Sequence, residues 1–179
     1  MTSDNYICKI ILTGAKNSGI YSLSAVYCTR FIVGSIQQTF GVDFYVKKVK
    51  LDEEVTVTLQ IWVLAQNEEF NRLFPDYMDG TDGLIILFDV TDKKTFKPIG
   101  DWIEASKHLI GNIPIFIVGN KADLPKRGVE IEEAIELSKD YGGTYEDFIS
   151  VKTGQNVEDL FRIVAEYVIQ KKAPVVANF

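Results

Sequence analysis

The sequence predicts a three-layer α/β sandwich, and three observations carry that prediction. Three continuous apolar runs, YICKIILT (6–13), GLIILFDV (83–90) and IPIFIVG (113–119), have no polar face, as expected of strands buried on both sides of a parallel sheet. Helical patterns alternate with these runs, which gives the sheet its covering layers. One segment differs: VDFYVKKVKL (42–51) and VTVTLQIWVL (55–64) flank a short acidic DEE and read as an antiparallel hairpin.

Each element has its own warrant. The first apolar run leads into GAKNSGIYSL (14–23), a glycine-bearing turn that opens a helix. Along 55–64, Val55, Val57, Leu59, Ile61 and Val63 share one face, while Thr56, Thr58, Gln60 and Trp62 share the other. Trp62 thus stands on a polar face, which calls for a partner or a covering loop. VEIEEAIELSKDYG (129–142) is a helix stopped by Gly142 and Gly143. QNVEDLFRIVAEYVIQ (155–170) is a helix with Val157, Leu160, Phe161, Val164 and Val168 on one stripe.

Composition bounds the function. At 179 residues the chain is read as one domain, 1–179, with a core from about 5 to 171 and a short tail, 172–179. A net charge of −6 disfavours a nucleic-acid surface. Cys8 falls in a strand pattern and Cys28 in a helix, as for buried free thiols in a reducing, cytoplasmic setting. The start MTSDNYICKI is no signal peptide, and no apolar stretch approaches the ~20 residues that span a bilayer. Thr2 and the cysteine-free end QKKAPVVANF carry no lipidation motif. The lone His108 reads as a surface residue, and no Ser-His-Asp set, zinc-ligand spacing or paired-carboxylate site stands out.

The chemistry-bearing stretch is GAKNSGIYSL. A strand, a Gly-x4-Gly turn and a helix cradle an anion with backbone N–H groups, and Gly14 and Gly19 have that spacing. The spacing alone is a weak signal, because specificity comes from a following Lys and hydroxyl residue. Those positions hold Ile20 and Tyr21. Further on, GNKAD (119–123) follows the third apolar run, and SVK (150–152) precedes the last helix. Asp123 can accept hydrogen bonds from two guanine N–H groups, the stem of Lys121 can lie against the base, and the Val151 N–H can reach the guanine oxygen. The simpler reading of GNKAD is that Asn120 ties the two loops together.

With GAKNSGIYSL, QTFGVDF (38–44), LQIWVLAQNEEF (59–70), GLIILFDVTDKKTF (83–96), GNKADL (119–124) and ISVKTGQNVEDLF (149–161) in order, the chain resembles the small GTPases of the Ras superfamily, nearest to the Rab branch. The resemblance implies the P-loop small-GTPase fold: a six-stranded, mostly parallel sheet with one antiparallel hairpin strand and about five helices. It implies a nucleotide site from Gly14, Lys16, Ser18, Gly19, Asn120, Lys121, Asp123, Ser150, Val151 and Lys152. It also implies a hydrophobic triad for effector-like proteins at Phe44, Trp62 and Tyr77, in a hairpin with one extra residue.

The departures are concentrated at the phosphate and metal end. The family's phosphate-loop lysine falls on Ile20, its magnesium-binding hydroxyl on Tyr21 and its magnesium aspartate on Val63. The γ-phosphate glycine falls on Gln66 and the water-orienting glutamine on Asn67, while Thr39, Ala65 and Glu68 remain. Losing one partner of a desolvated charge pair costs ~2–5 kcal/mol, and each ~1.4 kcal/mol is tenfold in affinity. The resemblance therefore implies a pseudoGTPase-like interaction module with impaired or absent GTP hydrolysis. GDP or GTP would be held by the base end, with Mg²⁺ doubtful at Thr39 alone. The alternatives are a slow GTPase that uses non-standard contacts such as Lys16, Thr39, Asn67 or Glu68, and a nucleotide-free scaffold whose phosphate cavity Ile20 and Tyr21 fill.

Overall fold

The computed structural model of the chain describes residues 4–30, 42–65, 74–143, 145 and 147–172. The first apolar run forms β1 (Asp4–Gly14), and the glycine-bearing turn opens α1 (Ile20–Tyr27). A short β2 (Thr29–Arg30) precedes the hairpin strands β3 (Val42–Lys50) and β4 (Val55–Ala65). Residues 74–78 are helical (α2), followed by β5 (Gly83–Asp89), α3 (Ile99–Ile110) and β6 (Ile115–Asn120). The chain closes with α4 (Ile131–Ser138), β7 (Gly142–Gly143) and α5 (Val157–Lys172).

These strands make one sheet in the order β2-β3-β4-β1-β5-β6-β7. Only β3 runs against the rest, since β4, β5, β6 and β7 pair in parallel and β2 opposes β3. Among the described residues the sheet has five longer strands and a two-residue segment at each edge, seven in all where six were expected. The hairpin is pinned by an Asp52 carboxylate oxygen that accepts from the N–H groups of Glu54 (2.8 Å) and Val55 (2.7 Å).

The two-faced burial of β1 and β5 divides the core into two layers. Cys8, Ile10 and Leu12 join the inward residues of β4 in a cluster closed by Ile20 and Leu23 of α1 and by the α5 stripe. That stripe is the expected one, Val157, Leu160, Phe161, Val164 and Val168, all buried. Each such apolar side chain contributes roughly 1.5–3 kcal/mol by leaving water. On the other face Ile11, Leu64, Ile86 and Phe88 pack with residues of α2, α3 and α4. Both cysteines are free, and burial pushes the Cys28 thiol up to about 12, so it stays an unreactive thiol. Among the described residues no helix is long and apolar enough to cross a membrane.

This topology gathers Gly14, Asp89 and Asn120, the last residues of β1, β5 and β6, at the carboxyl edge of the parallel strands. Crevices at that edge are where open α/β sheets bind ligands.

Candidate nucleotide-binding cleft

Both glycines of the loop are demanded by close packing. A Cβ on Gly14 would stand 2.3 Å from the Leu87 carbonyl oxygen and 2.7 Å from Ser18 Oγ. Gly19 has φ +102°, and its Cβ would lie 2.4 Å from Asn120 Nδ2. Between them the loop folds on itself, with the Ser18 N–H donating to the Ala15 carbonyl at 3.1 Å. Ser18 is fully buried, and its Oγ has no hydrogen-bond partner among the described residues.

Asn120, only 3% exposed, joins the loops as the simpler reading of GNKAD expects. Its Nδ2 donates to the Ser18 carbonyl at 2.8 Å, and its Oδ1 accepts from the Val151 N–H at 3.0 Å. The Val151 N–H expected to meet a base oxygen is therefore already engaged, and a base carbonyl would have to share it. Ser150 Oγ donates to Asp123 Oδ1 at 2.7 Å and orients that carboxylate. Lys121, in a left-handed conformation with φ 72°, pairs with Asp89 at 2.5 Å.

The result is a cleft of about 1010 Å³. Of the sequence-predicted residues, Gly14, Lys16, Gly19, Asn120, Lys121, Asp123, Val151 and Lys152 line it. Ser18 and Ser150 lie behind that lining, both 0% exposed. Asn67 and Thr39 fall outside the described residues, as do Gln66 and Glu68. Sequence reasoning missed Asp89, the partner of Lys121, and the apolar rim formed by Val26, Tyr27 and Leu124. The pattern FDVTD offers a carboxylate beside the strand end, but nothing in it names the lysine that will meet it.

A guanine base fits one end of this cleft: Asp123 is held in place by Ser150, and Lys121 and Lys152 stand beside it. A magnesium-phosphate group does not fit the other. Ile20 is 4% exposed and Val63 0%, and both belong to the hydrophobic layer under α1 and α5. Where the family pattern has a lysine and an aspartate, this chain has two apolar side chains in one core cluster, a replacement that costs little when volume is kept. Tyr21 is 44% exposed on the cleft wall. Burial, and then the neighbouring Asp43 and Tyr45, hold its phenol above the ordinary value, so it presents a neutral O–H at neutral pH. No group of three or more His, Cys, Asp or Glu residues suited to a metal occurs among the described residues.

Asp89 gives the cleft a measurable electrostatic signature. Burial by itself would raise its pKa, but hydrogen bonds from Lys121 and Thr91, with the Lys121 charge, hold the carboxyl below its ordinary value. A lowered folded-state pKa contributes stability that is present above the unfolded carboxylate range, near pH ~4, and is lost as pH falls through the folded value. Denaturant unfolding of Asp89→Asn from pH 7 to pH 2 is expected to show a flatter acid limb than the wild type. An identical acid limb would show that the pair contributes nothing.

The expected aromatic triad is also assembled. Phe44 and Trp62 lie opposite each other on β3 and β4 with ring centroids 5.0 Å apart, and Trp62 meets Tyr77 of α2 at 5.5 Å. Trp62 is half-buried, with the Lys9 ammonium 5.6 Å from its ring centroid. Lys9 Nζ donates to the carbonyls of Tyr77 and Asp79, each at 2.6 Å, and so ties the end of α2 to the central strand.

Comparison with known proteins agrees with this arrangement. A Ras family profile matches residues 9–170. The chain is 33% identical to human Ras-related protein Rab-19 over 171 residues, covering 94% of this chain and 78% of that protein. It is 34% identical to Ras-related protein Rab-1 of Theileria parva over 169 residues, covering 93% and 76%. With a putative ras-related protein Rab-5B of Dictyostelium discoideum it shares 31% over 163 residues, covering 90% and 75%. A parallel sheet with one reversed strand, a glycine loop tied to GNKAD and a match over nearly the whole length place the chain in the Ras family of small GTPases, with Rab proteins as its relatives.

Proposed function

We propose that this Rab-like protein acts as a protein-interaction module with little or no GTP hydrolysis. It meets a protein partner through Phe44, Trp62 and Tyr77 and retains a pocket for a guanine base. The observation that carries this reading is the burial of Ile20 and Val63 in the hydrophobic core at the positions of the family's phosphate lysine and magnesium aspartate. Phosphoryl transfer depends almost wholly on positioning and on charge stabilisation by such groups. The aromatic triad, by contrast, is complete, and clustered aromatics of this kind are common binding hot spots.

Two measurements test the proposal. Single-turnover assays with GTP and Mg²⁺ are expected to show hydrolysis no faster than an Asn67→Ala variant, and a rate that drops sharply in that variant would restore the slow-GTPase reading. Partners captured by the wild-type protein are expected to be lost from Trp62→Ala and Tyr77→Ala. Full retention by both variants would remove the triad from the partner surface.

A further inference from the structure

We infer that the cleft is a guanine nucleoside site, to which the phosphates of a bound nucleotide and Mg²⁺ add little. The inference rests on the base-recognition reading above and fixes the class of ligand. The base end is built and braced: Asp123 is oriented by Ser150, and Asn120 locks the loop to the Val151 amide. The phosphate end is built of different material. Ile20, 4% exposed and part of the core cluster, gives the cleft an apolar wall where the family has a lysine, and beside it Tyr21 offers a neutral phenol.

Three of the four large hydrophobic side chains exposed among the described residues, Tyr21, Val26 and Leu124, line this one cleft. An apolar rim with a few convergent polar groups suits a planar, largely uncharged ligand. The loop itself is consistent with this. Its Ser18 N–H is spent on the Ala15 carbonyl, and both glycines are accounted for by contacts with Leu87 and Asn120, with no phosphate needed to explain them. Lys16, the cation inside the loop, lines the cleft with its side chain exposed to water.

Calorimetric titration of the full chain with guanosine, GMP, GDP and GTP, each in EDTA and in Mg²⁺, tests this directly, with adenosine as the control. The expected result is binding of all four guanine ligands with Kd values within about tenfold of one another, unchanged by Mg²⁺, and no binding of adenosine. A rise in affinity of a hundredfold or more from guanosine to GDP, or a requirement for Mg²⁺, would overturn the inference while leaving base recognition intact. Failure of every guanine ligand at millimolar concentration would overturn base recognition as well, while the partner-surface reading stands or falls separately with Trp62→Ala and Tyr77→Ala. The reverse experiment restores the charges: Ile20→Lys, Tyr21→Ser and Val63→Asp together are expected to tighten GDP in Mg²⁺ at least a hundredfold with guanosine unchanged. A folded triple variant without that gain would show that these positions do not set the ligand class.

Discussion

Asn120→Ala is expected to lower stability by about 2–4 kcal/mol, because it strands two buried backbone groups at once. The Ser18 carbonyl loses its donor at 2.8 Å, and the Val151 N–H loses its acceptor at 3.0 Å. With Asn120 only 3% exposed, water enters the gap at a cost and does not simply replace the amide. For a domain of this size the loss corresponds to roughly 5–15 °C in Tm, readable by calorimetry or by the denaturant midpoint. A loss below about 0.5 kcal/mol would mean that the two loops hold their positions independently. The same side chain also makes Gly19 necessary, since a Cβ there would stand 2.4 Å from Asn120 Nδ2. Gly19→Ala should therefore cost less in the Asn120→Ala background than in the wild type, a coupling that a double-mutant cycle measures.

Gly14→Ala is expected to be similarly damaging, roughly 3 kcal/mol, for a reason that repacking does not relieve. The new Cβ would lie 2.3 Å from a main-chain oxygen, that of Leu87, and Gly14 is paired with Leu87 in the β1–β5 ladder. A carbonyl held in a sheet between two core layers has nowhere to retreat, so the strands must separate locally. The denaturant midpoint should fall with the slope unchanged. A midpoint at the wild-type value would show that β1 shifts freely against β5. Together the two variants separate the scaffold role of the Gly-x4-Gly spacing from any role in ligand binding.

That separation explains what the sequence did and did not disclose. Strands read from apolar runs, and the α5 stripe read from its spacing, stand where expected because burial on both faces or on one stripe leaves a long periodic trace. The edge strands Thr29–Arg30 and Gly142–Gly143 leave none, since two residues have no period and are specified by their neighbours' free N–H and C=O groups. Trp62 was legible because an aromatic on the polar face of an alternating strand is conspicuous, whereas its ring partners Phe44 and Tyr77 were implied by the family resemblance. Asp89 with Lys121, 32 positions apart, and Lys9 with Tyr77, 68 apart, were not. Long-range pairs of common charged residues are fixed by topology, and pattern alone does not single them out.

The bond from Lys9 to the end of α2 has a consequence for docking. The ammonium grips two carbonyls at the foot of Tyr77 and lies beneath Trp62, so these two rings are bolted to the central strand of the sheet. Asp82 and Lys172 complete the fastening: the carboxylate accepts from the Lys9 N–H at 2.7 Å and pairs with the last residue of α5 at 2.8 Å. Under the proposed function, a partner docking on these rings would press on a mounting that α5 braces from behind through Lys172 and Asp82.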